Sequence, residues 1–267
     1  LGAHRGVAVH HRTLLGRQLN VALGVDEEVV NHRLSPDGMT VVYGIRAGPT
    51  LSSHTRGDLY AVPVGGGSST PLSLPADSSY GADVLDFALT PDGQRVVLNY
   101  QMLGLLAPEI QSVKLDGTAR QTLLTQSGLI DIGLLLVSPD GQWVVFRDNV
   151  SQSSYRLPIT GGSAASLDTS SWPVIAGQRF VALAHDPDKE LTAPQDLYSI
   201  GLADLSRRNL TRLEPGAAVV EWSRIAPDGH TLAYTVDHDL GPSSRLELRV
   251  TDGQASQFLL QIPALHR

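Results

Sequence analysis

The stretch "LSPDGMTVVYG", Leu34 to Gly44, reads as the end of one strand, a tight turn and the start of another. Pro36 presets φ for the second position of a type I turn, Asp37 tolerates the third, and Gly38 takes the positive φ that re-enters a strand. A β-branched residue at Gly38 would be strained there by about 1–2 kcal/mol. The turn recurs as "LTPDG" ending at Gly93, "VSPDG" at Gly141 and "IAPDG" at Gly229. Successive glycines are 55, 48 and 88 residues apart, and the last interval is twice 44. A degenerate copy is therefore expected between the third and the fourth. "VIAGQRFVALA", Val174 to Ala184, supplies it: Gly177, Gln178 and the apolar run remain while Pro and Asp are gone.

After each turn comes a short apolar run, "TVVYGI", "RVVLNY", "WVVFRD", "RFVALA" or "TLAYTV". These runs are too short for helices, rich in β-branched and aromatic residues, and apolar on both alternating faces, so they read as strands sandwiched between two layers. A half-alternating strand follows ("DLYAVPV", "EIQSVKL", "SYRLPI", "DLYSIGL", "RLELRV"), then a second turn at Gly65–Gly66, Asp116–Gly117, Gly161–Gly162, Ala203–Asp204 or Asp252–Gly253, then a last strand such as "TPLSL" or "RNLTRL". The segments before the first turns, "EEVVNHRL", "ADVLDFAL", "DIGLLLV" and "VVEWSRI", complete four strands per unit.

Four short antiparallel strands in each 40–50-residue unit are the pattern of a propeller blade. The fold class expected is all-β, a β-propeller of four-stranded antiparallel blades. A single domain is expected over 1–267, with a half blade at 1–29 and full blades at 30–75, 80–126, 129–168, 169–214 and 217–262. About six blades would close the ring. The strands missing from the half blade either lie upstream in a longer natural chain, or the half blade packs incompletely.

The units "LSPDGMTVVYG…DLYAVPVGGG" and "IAPDGHTLAYTVD" resemble the TolB-like β-propeller repeat, a relative of the WD-type repeat. The resemblance covers about residues 30 to 262. It implies a propeller fold and leaves function open, because the family includes envelope scaffolds, ligand-binding modules and the non-catalytic propellers of prolyl-oligopeptidase-like enzymes. It also implies a periplasmic or extracellular location.

Composition narrows the function classes. Hydrophobic residues make up 42% and charged ones 18%, a balance that supplies a core and argues against extended disorder. No run of 18 apolar residues is present, so no membrane insertion is expected. The net charge is −7, with Lys only at Lys114 and Lys189 and no Arg-rich run, a poor match to nucleic-acid binding. The absence of cysteine removes disulfides, thiolate metal sites and cysteine nucleophiles.

Candidate chemistry is sparse. "GGGSST", Gly65 to Thr70, lacks the final Gly and the helix of a serine nucleophile elbow and reads as a hairpin turn. His10 and His11 are adjacent and point to opposite faces of a strand. "HDPDKE" (His185 to Glu190) and "DHDLG" (Asp237 to Gly241) bring carboxylates and imidazole together, without the ligand spacing of a known calcium loop. Asp37, Asp92, Asp140 and Asp228 are explained by the turn they sit in. No catalytic residue, metal ligand or cofactor is assigned.

The first strand of each blade lines the channel of a propeller, and polar residues there lack an obvious structural reason. They are His32 and Arg33 in the first full blade, Asp86 in the second, and Glu221 and Arg224 in the fifth. The equivalent strand of the third blade is almost wholly apolar. Such a funnel either receives a loop or peptide from a partner or holds water. The function expected is a non-catalytic protein- or ligand-binding scaffold with a protein or peptide partner. The alternative is the propeller portion of an enzyme: a prolyl-oligopeptidase-like peptidase whose hydrolase domain lies elsewhere, or a metal-dependent polysaccharide lyase.

Overall fold

A computed structural model describes residues 18–47, 56–73, 82–102, 108–125, 132–169, 174–176, 178–184, 195–213, 217–225, 231–237, 245–251 and 256–263. Among these residues there is no helix, and the strands form five four-stranded antiparallel sheets, each in chain order. The first sheet holds β1 (Glu27–Leu34), β2 (Thr40–Ala47), β3 (Arg56–Pro63) and β4 (Thr70–Pro71). The second holds β5 (Ala82–Leu89), β6 (Arg95–Met102), β7 (Glu109–Lys114) and β8 (Gln121–Thr125). β9 (Ile132–Val137), β10 (Trp143–Asp148), β11 (Ser153–Pro158) and β12 (Ala165–Ser166) make the third. The fourth contains β13 (Val174–Ala176), β14 (Arg179–Ala184), β15 (Asp196–Gly201) and β16 (Arg207–Asn209). The fifth contains β17 (Ala218–Ile225), β18 (Leu232–Asp237), β19 (Arg245–Thr251) and β20 (Ser256–Pro263). Two compact units result: Leu1–Val137 with Leu157–Ser163, and Ser138–Arg156 with Ala164–Arg267.

The repeated turn has the conformation its residues dictate. Gly38, Gly93 and Gly141 have φ of 72°, 67° and 70°. Their N–H groups donate to Ser35, Thr90 and Ser138 carbonyls at 2.8, 2.9 and 2.8 Å. The residue before proline, given no role in the sequence reading, locks the turn. Ser35 Oγ donates to Asp37 Oδ1 at 2.6 Å and accepts from Thr40 N at 2.9 Å. Thr90 repeats this with Asp92 and Arg95, and Ser138 with Asp140 and Trp143. The same carboxylate oxygens accept Met39, Gln94 and Gln142 N–H groups, so these aspartates serve their own turns. Gly177, Asp228 and Gly229 lie outside the described residues.

The second strands of the first three sheets are buried on both faces, with Val41 to Ile45, Val96 to Tyr100 and Val144 to Asp148 buried without a break, whereas in β18 buried Leu232, Tyr234 and Val236 alternate with half-buried residues. In β2 the alternation of side chains separates two clusters. Val41, Tyr43 and Ile45 pack with Leu19, Val29 and Val62. Val42 faces the other way, into a cluster that includes Leu59, Leu72, Phe87, Leu98 and Tyr100. Each such aliphatic or aromatic side chain contributes roughly 1.5–3 kcal/mol by leaving water. In the second unit, Val181, Leu197, Leu210, Leu232 and Tyr234 form the corresponding layer between the fourth and fifth sheets.

Two glycines of the second turns allow adjacent sheets to approach. A Cβ on Gly117 (φ 80°) would lie 3.1 Å from the Pro71 carbonyl oxygen, and one on Gly161 (φ 84°) 3.2 Å from that of Leu123. Three outer strands are short, β4 and β12 with two residues each and β16 with three, whereas β8 has five and β20 eight.

Candidate functional site

Register places the candidate polar residues at repeated positions. β1 and β5 each carry a bulge, between Val29 and Asn31 and between Val84 and Asp86, and β17 is shifted between Val219 and Glu221. After the bulge, Asn31 pairs with Gly44, Asp86 with Asn99 and Glu221 with Thr235, which are equivalent positions of the second strand. Arg33 pairs with Val42 and Arg224 with Ala233, again equivalent. The first strand thus has one register position for a carboxylate or amide and another that carries arginine twice. Glu221 and Arg224 belong to the second unit, and His32, Arg33 and Asp86 to the first.

Within the first unit the structure brings Arg33 and Asp86 together. Arg33 Nη2 donates to Asp86 Oδ1 at 3.4 Å, and its guanidinium lies 5.2 Å from the centre of the Phe87 ring. Asp86 Oδ1 also accepts Phe87 N–H at 2.8 Å, while Oδ2 accepts Leu135 N–H of β9 at 3.2 Å. One carboxylate therefore ties together the first strands of three successive sheets. Burial pushes the Asp86 carboxyl above the ordinary carboxylate value, against the opposing pull of the Phe87 N–H, Arg33 and the Leu135 N–H. The Asp86 side chain is 25% exposed and that of Arg33 46%. Asp86 is consequently a holder, and Arg33 is the group presented to solvent. His32 is exposed beside it, as are Val30 and Leu34.

The remaining candidates divide simply. Gly65–Thr70 forms a turn leading into β4, with Gly66 and Gly67 at positive φ, and Ser69 Oγ meets the Tyr43 hydroxyl at 2.8 Å. His10, His11, the loop His185–Glu190, and the loop Asp237–Gly241 apart from Asp237 lie outside the described residues. Among the described residues no three His, Asp or Glu side chains converge.

A second feature was not found from the sequence. In the second unit a cleft of about 300 Å³ opens between the third and fourth sheets, lined by residues that include Gln152, Ser153, Asp168, Thr169, Ala184 and Arg207. Its signal was present in the aligned repeats: the fourth copy ends its second strand in Ala184 where the second copy has Tyr100.

No family model and no curated protein matches the chain. Solved structures do. A putative TolB from Agrobacterium tumefaciens is 15% identical, with 89% of this chain and 82% of that one covered and a TM-score of 0.50. The β-propeller domain of the Trilobed protease from Pyrococcus furiosus is 10% identical, covering 89% and 72%, at 0.57. An oligogalacturonate lyase from Vibrio parahaemolyticus is 12% identical, covering 88% and 67%, at 0.55. The chain spans 55% of the length of TolB from Acinetobacter baumannii. The sheets and these likenesses together define a β-propeller. Its fold is that of the TolB-like propellers, as the repeated turn implied. Among the described residues no helix is long and apolar enough to cross a membrane.

Proposed function

We propose that the chain is a non-catalytic binding module that recognises a protein or peptide through its first strands. The observation that carries the reading is the pinning of Arg33: Asp86 holds a half-exposed guanidinium in place using a carboxylate that is itself fixed by two backbone N–H groups. A cation partly ordered by the fold, on an edge strand that also exposes His32, Val30 and Leu34, suits an extended segment carrying carboxylates and apolar side chains. Arg224 and Glu221 supply the same pair of residue types at equivalent registers of β17 in the second unit. The reading takes the five sheets as blades of one propeller domain. It extends to a periplasmic or extracellular location, which cell fractionation of the native host would test. The central test is a peptide array carrying acidic and apolar segments, probed with wild type and with Arg33→Glu. Capture of acidic-apolar peptides by wild type, reduced at least about tenfold by the substitution, is expected from losing a charge-assisted contact. Equal capture by both proteins would remove the reading.

One observation favours the alternative of an enzyme's propeller portion: the chain covers only 36% of a prolyl endopeptidase chain at a TM-score of 0.58. A reading frame that continues into a Gly-x-Ser-x-Gly domain would decide for a peptidase. Bound divalent metal together with cleavage of uronate polymers would decide for a lyase.

A further inference from the structure

The repeat supplies an internal template for the cleft in the second unit. Arg95 donates from Nε to Ser112 Oγ at 2.7 Å and from Nη2 to the Ser112 and Ala119 carbonyls at 3.2 and 2.7 Å. Arg179 makes the same set with Ser199 Oγ, the Ser199 carbonyl and the Ser206 carbonyl. Arg120 and Arg207, one residue further on, are therefore equivalent. Tyr100 pairs with Glu109 and Ala184 with Asp196, which makes Tyr100 and Ala184 equivalent too. In the preceding sheets, Leu72 N–H donates to the Leu59 carbonyl and Leu167 N–H to that of Ser154. That alignment equates Asp58 with Ser153 and Ser73 with Asp168.

In the first unit the position is filled. Tyr100 is buried in the apolar cluster with Leu59 and Leu72, and its hydroxyl lies in the field of Arg120, Glu109 and Asp58. Arg120 donates to the Leu72 carbonyl and to Gln111 Oε1, and Ser73 Oγ donates to Asp58 Oδ1 at 3.2 Å. In the second unit the ring is absent and its surroundings remain. Arg207 donates to the Asp168 carbonyl at 3.3 Å, stands 4.0 Å from the Asp168 carboxylate, and stacks 5.2 Å from the Tyr198 ring centre.

Two hydroxyls at the junction, those of Ser154 and Thr169, are not used up by the fold. Acid and hydroxyl have exchanged places, as Ser153 and Asp168, and they do not bond each other: Ser153 Oγ turns to the Ser151 carbonyl and the Asp168 carboxylate accepts from Ser166 Oγ. Gln152 and Asp168 both hold positive φ, 58° and 49°. Thr169 Oγ1 and Ser154 Oγ are buried without a hydrogen-bond partner. A truncation tolerated only for packing would leave an apolar hole. This one combines an apolar wall with Asp168, Thr169 and Arg207, is strained at its rim, and has a size that suits a small ligand.

We infer that this cleft binds a hydroxyphenyl ring in the place where the second repeat buries its own Tyr100, with the ring against Ala184 and the hydroxyl toward Arg207. A free phenol and a tyrosine side chain of a peptide share this chemistry. The test is titration of the full chain with p-cresol, toluene and N-acetyl-tyrosinamide, followed by calorimetry and by amide chemical shifts. Wild type is expected to bind p-cresol saturably and at least tenfold tighter than toluene. Ala184→Tyr fills the cleft, and it should abolish binding and raise Tm. Arg207→Met should reduce the preference for p-cresol over toluene to less than threefold. If Ala184→Tyr does not fold, Ala184→Leu carries the same expectation of lost binding. N-acetyl-tyrosinamide binding more tightly than p-cresol would assign the ring to a peptide, and the reverse to a free phenol. Absence of saturable p-cresol binding, or unchanged binding in the filled variant, would overturn the inference. Neither outcome bears on the Arg33 surface.

Discussion

At the scale of single residues, the repeated turn depends on a hydroxyl as much as on its glycine. Thr90 is buried, accepts Arg95 N–H and donates to Asp92, so Thr90→Val leaves a half-buried N–H without its acceptor. It should cost roughly 1–3 kcal/mol in denaturant unfolding. Acid dependence follows from the same contact. The Thr90 hydroxyl, then the Gln94 N–H, hold the Asp92 carboxyl below its ordinary value of 3.8. Folding therefore gains stability from Asp92 above that value and loses it as pH falls through the depressed folded pKa. Thr90→Val removes the larger cause, and its stability profile below pH 4 should be flatter than that of wild type. Asp86 has the opposite sign: its folded pKa is raised from 3.8, so its contribution is fully present below 3.8 and is lost as pH rises through the raised value. The glycines are not equivalent either. Gly38→Ala meets no atom within 4 Å and should cost only the backbone strain of about 1–2 kcal/mol, whereas Gly161→Ala adds a close contact with the Leu123 carbonyl. Thermal melts should rank Gly161→Ala as the more damaging.

At the scale of elements, the first strands are where structure and recognition compete. Asp86→Ala removes the acceptor of two backbone N–H groups on two strands and should cost roughly 1–3 kcal/mol in denaturant unfolding. Arg33→Ala breaks only a long, half-exposed ion pair and should change stability by less than about 1 kcal/mol. The two substitutions separate the holder from the group it holds. Much of the strand layout was legible in the residues: "EEVVNHRL" and "ADVLDFAL" coincide with β1 and β5, because a Pro-Asp-Gly turn marks the end of each strand and an apolar run marks its partner. The equivalence of Arg33 with Arg224 was legible, since each stands five residues before its turn glycine, but that of Asp86 with Glu221 was not: they stand seven and eight residues before theirs, and the shift between Glu221 and Arg224 that reconciles them is a property of two paired strands. The Arg33–Asp86 contact was half legible: both residues stood out as polar on strands expected to face inward, but the N–H of Leu135 that fixes Asp86 is backbone, and any residue at 135 would supply it except proline.

At the scale of the whole molecule, one apolar cluster among the described residues joins the first and second sheets and another the fourth and fifth, neighbours in sequence as in a repeat protein. Local damage should stay local. Hydrogen exchange of Thr90→Val should lose protection mainly in residues 82–125, and Arg179→Ala, which removes the Ser199 and Ser206 contacts, mainly in 174–213. Loss of protection spread evenly over all five sheets in either variant would show that the chain behaves as one undivided unit.

The two-residue strands β4 and β12 have a further effect on how copies of the chain meet in a crowded compartment. A foreign segment seeking to extend either sheet would find only one or two amide groups to align against. Ordering each of its own residues would cost about 1–2 kcal/mol, more than so few bonds return. At these two rims the chain can therefore display sheet after sheet without seeding a fibril, because each edge stops before a stranger can gain a foothold.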